Sequence, residues 1–226
     1  MERLRGDGRA CSSFAMAAKK SPKAKAPAKK PTKKPAEKPT KASAKAGGEA
    51  YVALMRGINV GGNNMIPMKE LTALFTDAGC SDVRTYIQSG NVVFRAGAAV
   101  IKGLHAAVER GLIARFGSSV PLVLRSEAEL AECERSNPYF SKGADQTKLV
   151  VMFLDQQPTA AAVAALDPAR SPPDEFVVRG RDIYLRCPNG LGRSKLTNAW
   201  FDGKLGVVST GRNWNTVQKL LAMCAE

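Results

Sequence analysis

Histidine and cysteine are scarce in this sequence of 226 residues. His105 is the only histidine, and the five cysteines never form a Cys-x-x-Cys pair. A histidine-rich zinc site and an H-E-x-x-H motif are therefore excluded, and the lack of Cys-x-x-Cys pairs argues against a cysteine-based zinc site. The odd, scattered cysteines argue against a disulfide framework and fit a reducing cytoplasm. We predict a cytoplasmic protein with no bound metal and no cofactor.

Long apolar runs are also missing. No stretch reaches the roughly 18 apolar residues that a transmembrane helix needs, and the N-terminus lacks the apolar core of a secretory signal. We therefore predict no membrane partner. A mitochondrial transit peptide is an alternative for the basic N-terminus, although its many prolines disfavour an amphipathic helix. The segment around Met16 is a second candidate start of the chain.

Acidic residues are rare only at one end of the chain. Residues 1–48 hold 14 Lys or Arg against three acids, whereas the remaining residues hold 20 basic and 17 acidic groups. The Lys, Ala and Pro of this arm cannot bury enough apolar surface to fold, so the arm is predicted to be disordered. It resembles the tails of linker-histone-like proteins. Its ammonium groups would give sequence-independent, salt-dependent affinity for nucleic acid; a solubilising or linker tail is the alternative. The candidate nucleic-acid contacts are Lys19, Lys20, Lys29, Lys30, Lys33 and Lys34.

The body after the arm predicts the same order of elements twice. Hydrophobic periodicity and Gly or Pro boundaries indicate a first β-α-β-β-α-β unit, with elements at 51–56, 67–78, 82–88, 91–95, 98–116 and 120–124. A helical connector at 127–135 precedes a second unit, with elements at 148–154, 159–166, 175–178, 182–186, 194–201 and 205–209. A last amphipathic helix is predicted at 213–224.

This repeated order predicts an α+β fold of two tandem ferredoxin-like plaits preceded by a disordered basic arm. The predicted organisation has three parts. They are the arm at 1–48, the first plait at 49–126, and the connector with the second plait and C-terminal helix at 127–226.

Four polar segments of the body share an unusual composition. They span 56–64, 86–91, 190–195 and 210–216, and they contain Arg, Lys, Gly, Asn, Ser and Thr but no Asp or Glu. Backbone N–H groups, amides, hydroxyls and fixed cations are the groups that bind anions. Ser194 and Asn213 are also predicted to cap helix N-termini. The candidate anion-binding residues are Arg56, Asn59, Gly61, Gly62, Gln88, Ser89, Asn91, Arg193, Ser194, Lys195, Thr210, Arg212, Asn213 and Asn215.

The strings RGINVGGNN, TYIQSGNVVF, GRSKL and TGRNWNT resemble the bacterial domain-of-unknown-function family 1697. The resemblance runs from about residue 51 to residue 221 and excludes the arm. It implies two tandem α/β plaits. It implies no reaction and no catalytic residues, because the activity of that family is not established.

Three functions agree with these observations. The first is a binding module for an anionic, phosphate-bearing ligand, with the arm adding non-specific nucleic-acid affinity. The second is an enzyme that acts on a small phosphorylated or carboxylated substrate by electrostatic stabilisation. The third is a structural or protein-interaction role in which the loops are purely structural, so that Arg56 and Arg212 pair with carboxylates and Trp214 belongs to the core. We also expect His105 to be a partly buried structural histidine, and Cys187 and Cys224 to be core residues.

Overall fold

The protein is represented by a computed structural model that describes residues 48–61, 64–141 and 143–226. The predicted disorder of the arm, its six candidate lysines and Gly62 lie outside these residues. None of the helices in the described part of the chain combines the length and the apolar character needed to cross a bilayer.

The first half of the body follows the order β-α-β-β-α-β. Its second helix, α2 (Ala98–Phe116), ends where Gly117 adopts a left-handed φ of 72° and donates to the Ile113 carbonyl. A short helix, α3 (Glu127–Arg135), follows, and Ser126 and Glu129 close a capping box at its start. The elements are β1 (Glu49–Met55), α1 (Met68–Asp77), β2 (Ser81–Tyr86), β3 (Asn91–Ala96), α2 (Ala98–Phe116), β4 (Leu122–Ser126) and α3 (Glu127–Arg135).

The second half repeats this order and adds a C-terminal helix. Short 3₁₀ helices at Gln146–Lys148 and Leu191–Arg193 interrupt its loops. The elements are β5 (Leu149–Leu154), α4 (Ala160–Ala164), β6 (Glu175–Arg179), β7 (Asp182–Arg186), α5 (Asn198–Leu205), β8 (Ser209–Asn213) and α6 (Trp214–Ala225).

The predicted α+β class is confirmed as two four-stranded antiparallel sheets. The first sheet has the order β2-β3-β1-β4 and the second the order β6-β7-β5-β8, so the first strand of each half is central. In the second sheet Val151 of β5 lies opposite Arg212 of β8, and in the first Leu54 of β1 lies opposite Asn91 of β3. Asn91 thus lies beside the end of β1, whereas Arg212 lies beside the first half of β5.

Each sheet buries both of its faces. One face of the first sheet packs on α1 and α2, and one face of the second packs on α4 and α5. The opposite faces share a central core with α3 and α6, where Val52, Val151 and Trp214 are each completely buried. Alternate residues of a strand point to opposite faces, which explains why β1 and β5 are apolar at nearly every position.

Two predicted elements of the second half are wrong. The helix predicted at 194–201 begins instead at Asn198, because Thr197 and not Ser194 caps it. The strand predicted at 205–209 is displaced: Leu205 ends α5, and β8 begins at Ser209. Residues Thr210 to Asn213, which the sequence predicts as a loop, therefore belong to a strand. The cap at Asn213 is confirmed, since its side chain accepts a hydrogen bond from the Thr216 N–H.

Candidate functional site

Three of the four polar segments meet at one cavity of about 400 Å³. The loop after β1, the turn between β2 and β3, and the junction of β8 with α6 each contribute to its walls. The cavity thus lies where the two halves of the body face each other. Its lining residues are Met55, Arg56, Gly57, Ile58, Val60, Ile87, Ser89, Asn198, Thr210, Gly211, Arg212, Asn213 and Thr216.

Arg212 ties these segments together from beneath the cavity. Its side chain reaches out of β8 and donates to the Met55 carbonyl at 2.7 Å and to the Ser89 carbonyl at 3.2 Å. It also donates to the Asn91 amide oxygen and to the Thr210 hydroxyl. A guanidinium has five N–H donors in a fixed fork, and here they connect the end of β1, the β2–β3 turn and β8.

The charge of Arg212 is not matched by a carboxylate in the described part of the chain. Every oxygen that it contacts is a neutral carbonyl, amide or hydroxyl. Only 8% of the residue is exposed, and this burial lowers the pKa of the guanidinium to about 10. A buried cation with neutral partners projects a positive potential into the cavity that it lines.

Arg56 stands at the side of the same cavity and is about a third exposed. Its Nη1 atom donates to the Asp202 carboxylate and to the Ser209 carbonyl. Both contacts use Nη1, so the edge formed by Nε and Nη2 is not used by these partners. Asp202 is held in turn by the Ser209 N–H and hydroxyl. The cluster of Arg56, Arg212 and Asp202 therefore keeps a net positive charge.

The β2–β3 turn is fixed closely against β1. Gly90 has a left-handed φ of 75°, and a Cβ atom there would approach the Met55 Cβ to 2.8 Å. Only glycine fits this approach without a shift of the backbone. Asn91 is completely buried and donates to the Tyr86 carbonyl and the Ser89 hydroxyl. The turn is thus held from both ends before it meets Arg212.

The other predicted site residues are distributed differently. Asn59 donates to the Ile66 and Gln88 carbonyls, so it joins the β1–α1 loop to the β2–β3 turn. Asn59 and Gln88 line a separate cavity of about 260 Å³. Gly61 and Asn215 are exposed, and neither is among the residues that line the larger cavity.

The fourth polar segment does not join the other three. Ser194 accepts a hydrogen bond from the Leu196 N–H, and the Lys195 N–H donates to the Ser171 hydroxyl. Arg193 lies in an exposed 3₁₀ turn. These three residues are absent from the lining of the cavity around Arg212.

Sequence reasoning missed several residues of this site. Asp202, Asn198 and Thr216 lie outside the predicted set, and Asp202 carries no local signal because a single acid on a helix is common. Val60 and Ile87 lie inside the polar segments, but their side chains are apolar. Among the described lining residues there is no Asp, Glu, His or Cys, and no three such side chains in the described chain are grouped to hold a metal ion.

The expectation for His105 is wrong. It is exposed, because the helix α2 turns this position away from the buried face formed by Leu104 and Val108. His105 and Glu109 instead border another cavity, of about 720 Å³, beside β4. The predictions for the core are confirmed, since Trp214, Cys187 and Cys224 are at most 1% exposed.

The fold and the site define an α+β protein of two antiparallel sheets with a cationic cavity between its halves. Residues 49–184 match the model of the DUF1697 family, described as proteins of unknown function, and the chain belongs to this family. The match covers the first two polar segments and ends before the other two.

A solved structure has a related fold. The conserved bacterial protein SP0830 from Streptococcus pneumoniae is 22% identical and superposes with a TM-score of 0.59, over 78% of this chain and 98% of that one. No curated protein matches the chain.

Proposed function

We propose that the body is a binding module for a small phosphate-bearing anion, held in the cavity around Arg56 and Arg212. The observation that carries this proposal is the buried Arg212 guanidinium, whose contacts are all neutral and which lines the cavity. A bound anion would supply the missing negative charge. Such a charge is worth most where water is excluded.

Two further features support an anion at this place. The Nε and Nη2 edge of Arg56 offers two parallel donors, which is the arrangement that binds a phosphate in a bidentate manner. The first turn of α6 also opens on the cavity through Asn213 and Thr216, and a helix N-terminus carries a partial positive charge.

The composition of the lining favours binding over catalysis. General acid–base chemistry uses His, Asp, Glu, Lys, Tyr or Cys within hydrogen-bond reach of the substrate. The described lining residues offer amides, hydroxyls and guanidinium groups instead. An enzyme that works by electrostatic stabilisation alone is the weaker candidate.

The test is titration of the full chain with inorganic phosphate, followed by calorimetry and by backbone amide NMR shifts. We expect saturable binding, with the largest shifts at Gly57, Ser89 and Gly211. Arg56→Gln should weaken binding at least tenfold, because the variant keeps a polar, hydrogen-bonding side chain but loses the charge and the parallel pair of donors.

Arg115→Gln is the matched control. Arg115 is 33% exposed against 32% for Arg56, and it also pairs with acids, but it lies on α2 away from the cavity. The phosphate affinity of the Arg115→Gln variant should equal that of the unsubstituted chain. Absence of saturable binding up to millimolar phosphate, or equal losses in both variants, would contradict the proposal.

We also propose that each half is a ferredoxin-like plait. The support is the order β-α-β-β-α-β in each half together with sheets in which the first strand lies between the third and the fourth. The non-specific nucleic-acid contact of the arm and the cytoplasmic location are likewise proposals. They rest on the cationic composition and on the scattered cysteines of the sequence.

A further inference from the structure

The cavity around Arg56 is larger than a phosphate group requires. Its volume is about 400 Å³, which lies in the range of sites for organic ligands, roughly 300–1,000 Å³. A water molecule takes up about 30 Å³ of the liquid, and a phosphate group is only a few water molecules in size. Most of the cavity would therefore remain for another part of the ligand.

The space beyond the guanidinium groups is bordered by apolar side chains. Met55 and Ile58 are buried at its base, whereas Val60 is 62% and Ile87 53% exposed at its rim. Single exposed apolar residues are common on protein surfaces. Here two of them face one cavity from two different loops, and such grouping is what marks a binding surface.

The backbone conformation at residue 87 makes the presence of an isoleucine there informative. Its φ is 46°, in the left-handed region that disfavours β-branched residues. Glycine or asparagine would suit this turn better. The isoleucine side chain is half exposed and is not part of the buried core. An apolar contact with a ligand gives this side chain a role that the turn alone does not.

We propose that the ligand is an organic phosphate ester whose non-phosphate part is a compact apolar group, such as an aromatic ring. Its phosphate lies against Arg56 and above Arg212, and its apolar part lies between Val60 and Ile87. This inference rests on the proposed function and adds the class of ligand to it.

The experiment compares probes on the full chain by calorimetry. Phenyl phosphate should bind at least tenfold more tightly than inorganic phosphate, whereas glycerol 3-phosphate, whose organic part is polar, should show no such gain. Phenol, which lacks the anion, should not bind. A tenfold gain corresponds to about 1.4 kcal/mol.

Variants separate the two parts of the site. Ile87→Asn removes the apolar surface and introduces a residue that tolerates the left-handed conformation. Val60→Thr nearly preserves the shape of the side chain but makes it polar. Each should abolish the gain of phenyl phosphate while leaving the affinity for inorganic phosphate unchanged. Ile113→Gln is the matched control, because Ile113 is 51% exposed on α2, and it should retain the full gain.

The outcomes distinguish this inference from the proposed function. If phenyl phosphate and inorganic phosphate bind equally, or if the gain survives Ile87→Asn, the apolar part of the inference is overturned and the phosphate site stands. If no phosphate compound binds, both proposals fail together. Thermal unfolding of each variant checks that a lost signal does not come from a lost fold.

Discussion

Replacing Arg212 by methionine tests the central contact between the two halves of the body. Methionine is unbranched and apolar, so it removes the donors and the charge and replaces only the aliphatic part of the arginine side chain. The Met55 carbonyl, the Asn91 amide oxygen and the Thr210 hydroxyl would lose their guanidinium donor. The first two belong to the first half of the body and the third to β8, so the substitution loosens both sheets at once.

The expected loss of unfolding free energy follows from two opposing effects. A buried acceptor left without its donor costs about 1–3 kcal/mol, so three of them cost about 6 kcal/mol. Removal of the buried charge returns part of this cost, because the burial that lowers the Arg212 pKa to about 10 from 12.5 corresponds to about 3 kcal/mol. We expect a net loss of about 3 kcal/mol.

Urea unfolding followed by circular dichroism and by tryptophan fluorescence measures this change. Trp214 follows Arg212 by two residues and is completely buried, so it reports on the same junction. Arg115→Met is the control and should cost less than about 1 kcal/mol, as exposed ion pairs do. Arg212→Lys should recover little, because an ammonium lacks the planar fork. If Arg212→Met and Arg115→Met destabilise the protein equally, the role given to Arg212 is refuted.

Three further predictions concern a helix cap, the buried thiols and the arm. Asn213→Ala should lower the free energy of unfolding in urea by about 1 kcal/mol, since it removes the acceptor of the Thr216 N–H at 2.8 Å. Asn215→Ala on the same turn is the control, and an equal loss of unfolding free energy in both variants would contradict the role of Asn213 as a cap. Burial raises the pKa of Cys80 and of Cys187 to about 11 from 9.0. Between about pH 9 and 11 the folded state therefore keeps thiol protons that the unfolded state has released, and the free energy of unfolding should fall as the pH rises through this range. A free energy of unfolding that does not change with pH in this range would contradict the burial of these thiols. Duplex DNA binding by the full chain, measured at two salt concentrations, should weaken and show a smaller salt dependence when six of the 14 basic residues of the arm become glutamine. An unchanged salt dependence would exclude these lysines as the contact. They are Lys19, Lys20, Lys29, Lys30, Lys33 and Lys34.

The sequence predicts elements well where local signals determine them. The bounds of α2 and α3 agree with the prediction, because Gly117 ends the first and a Ser-Glu capping box begins the second. Strand β8 is different. The apolar residues 205–208 indicate a strand, yet Gly206 adopts a φ of 66° and ends α5, and the polar residues that follow form the ladder with β5. Their burial comes from the opposite half, which local patterns do not encode.

The candidate site likewise combines features that local sequence predicts with features that only the tertiary fold determines. Composition identifies the segments around Arg56, Ser89 and Arg212, which do meet at one cavity. The segment around Arg193 has the same composition but lies elsewhere, because only the tertiary fold decides which loops become neighbours. The expectation that Arg56 and Arg212 pair with carboxylates is confirmed for Arg56, which pairs with Asp202. It is wrong for Arg212, whose contacts are neutral oxygens.

The central core has a consequence for each half of the body taken alone. Val52 and Leu54 of the first half and Val151 and Phe153 of the second lose all contact with water in one shared cluster. One half alone would expose its part of this apolar surface to water, and exposed apolar patches of that kind drive association. In the tandem chain each half covers the apolar face of the other, so neither half is expected to remain monomeric when expressed alone.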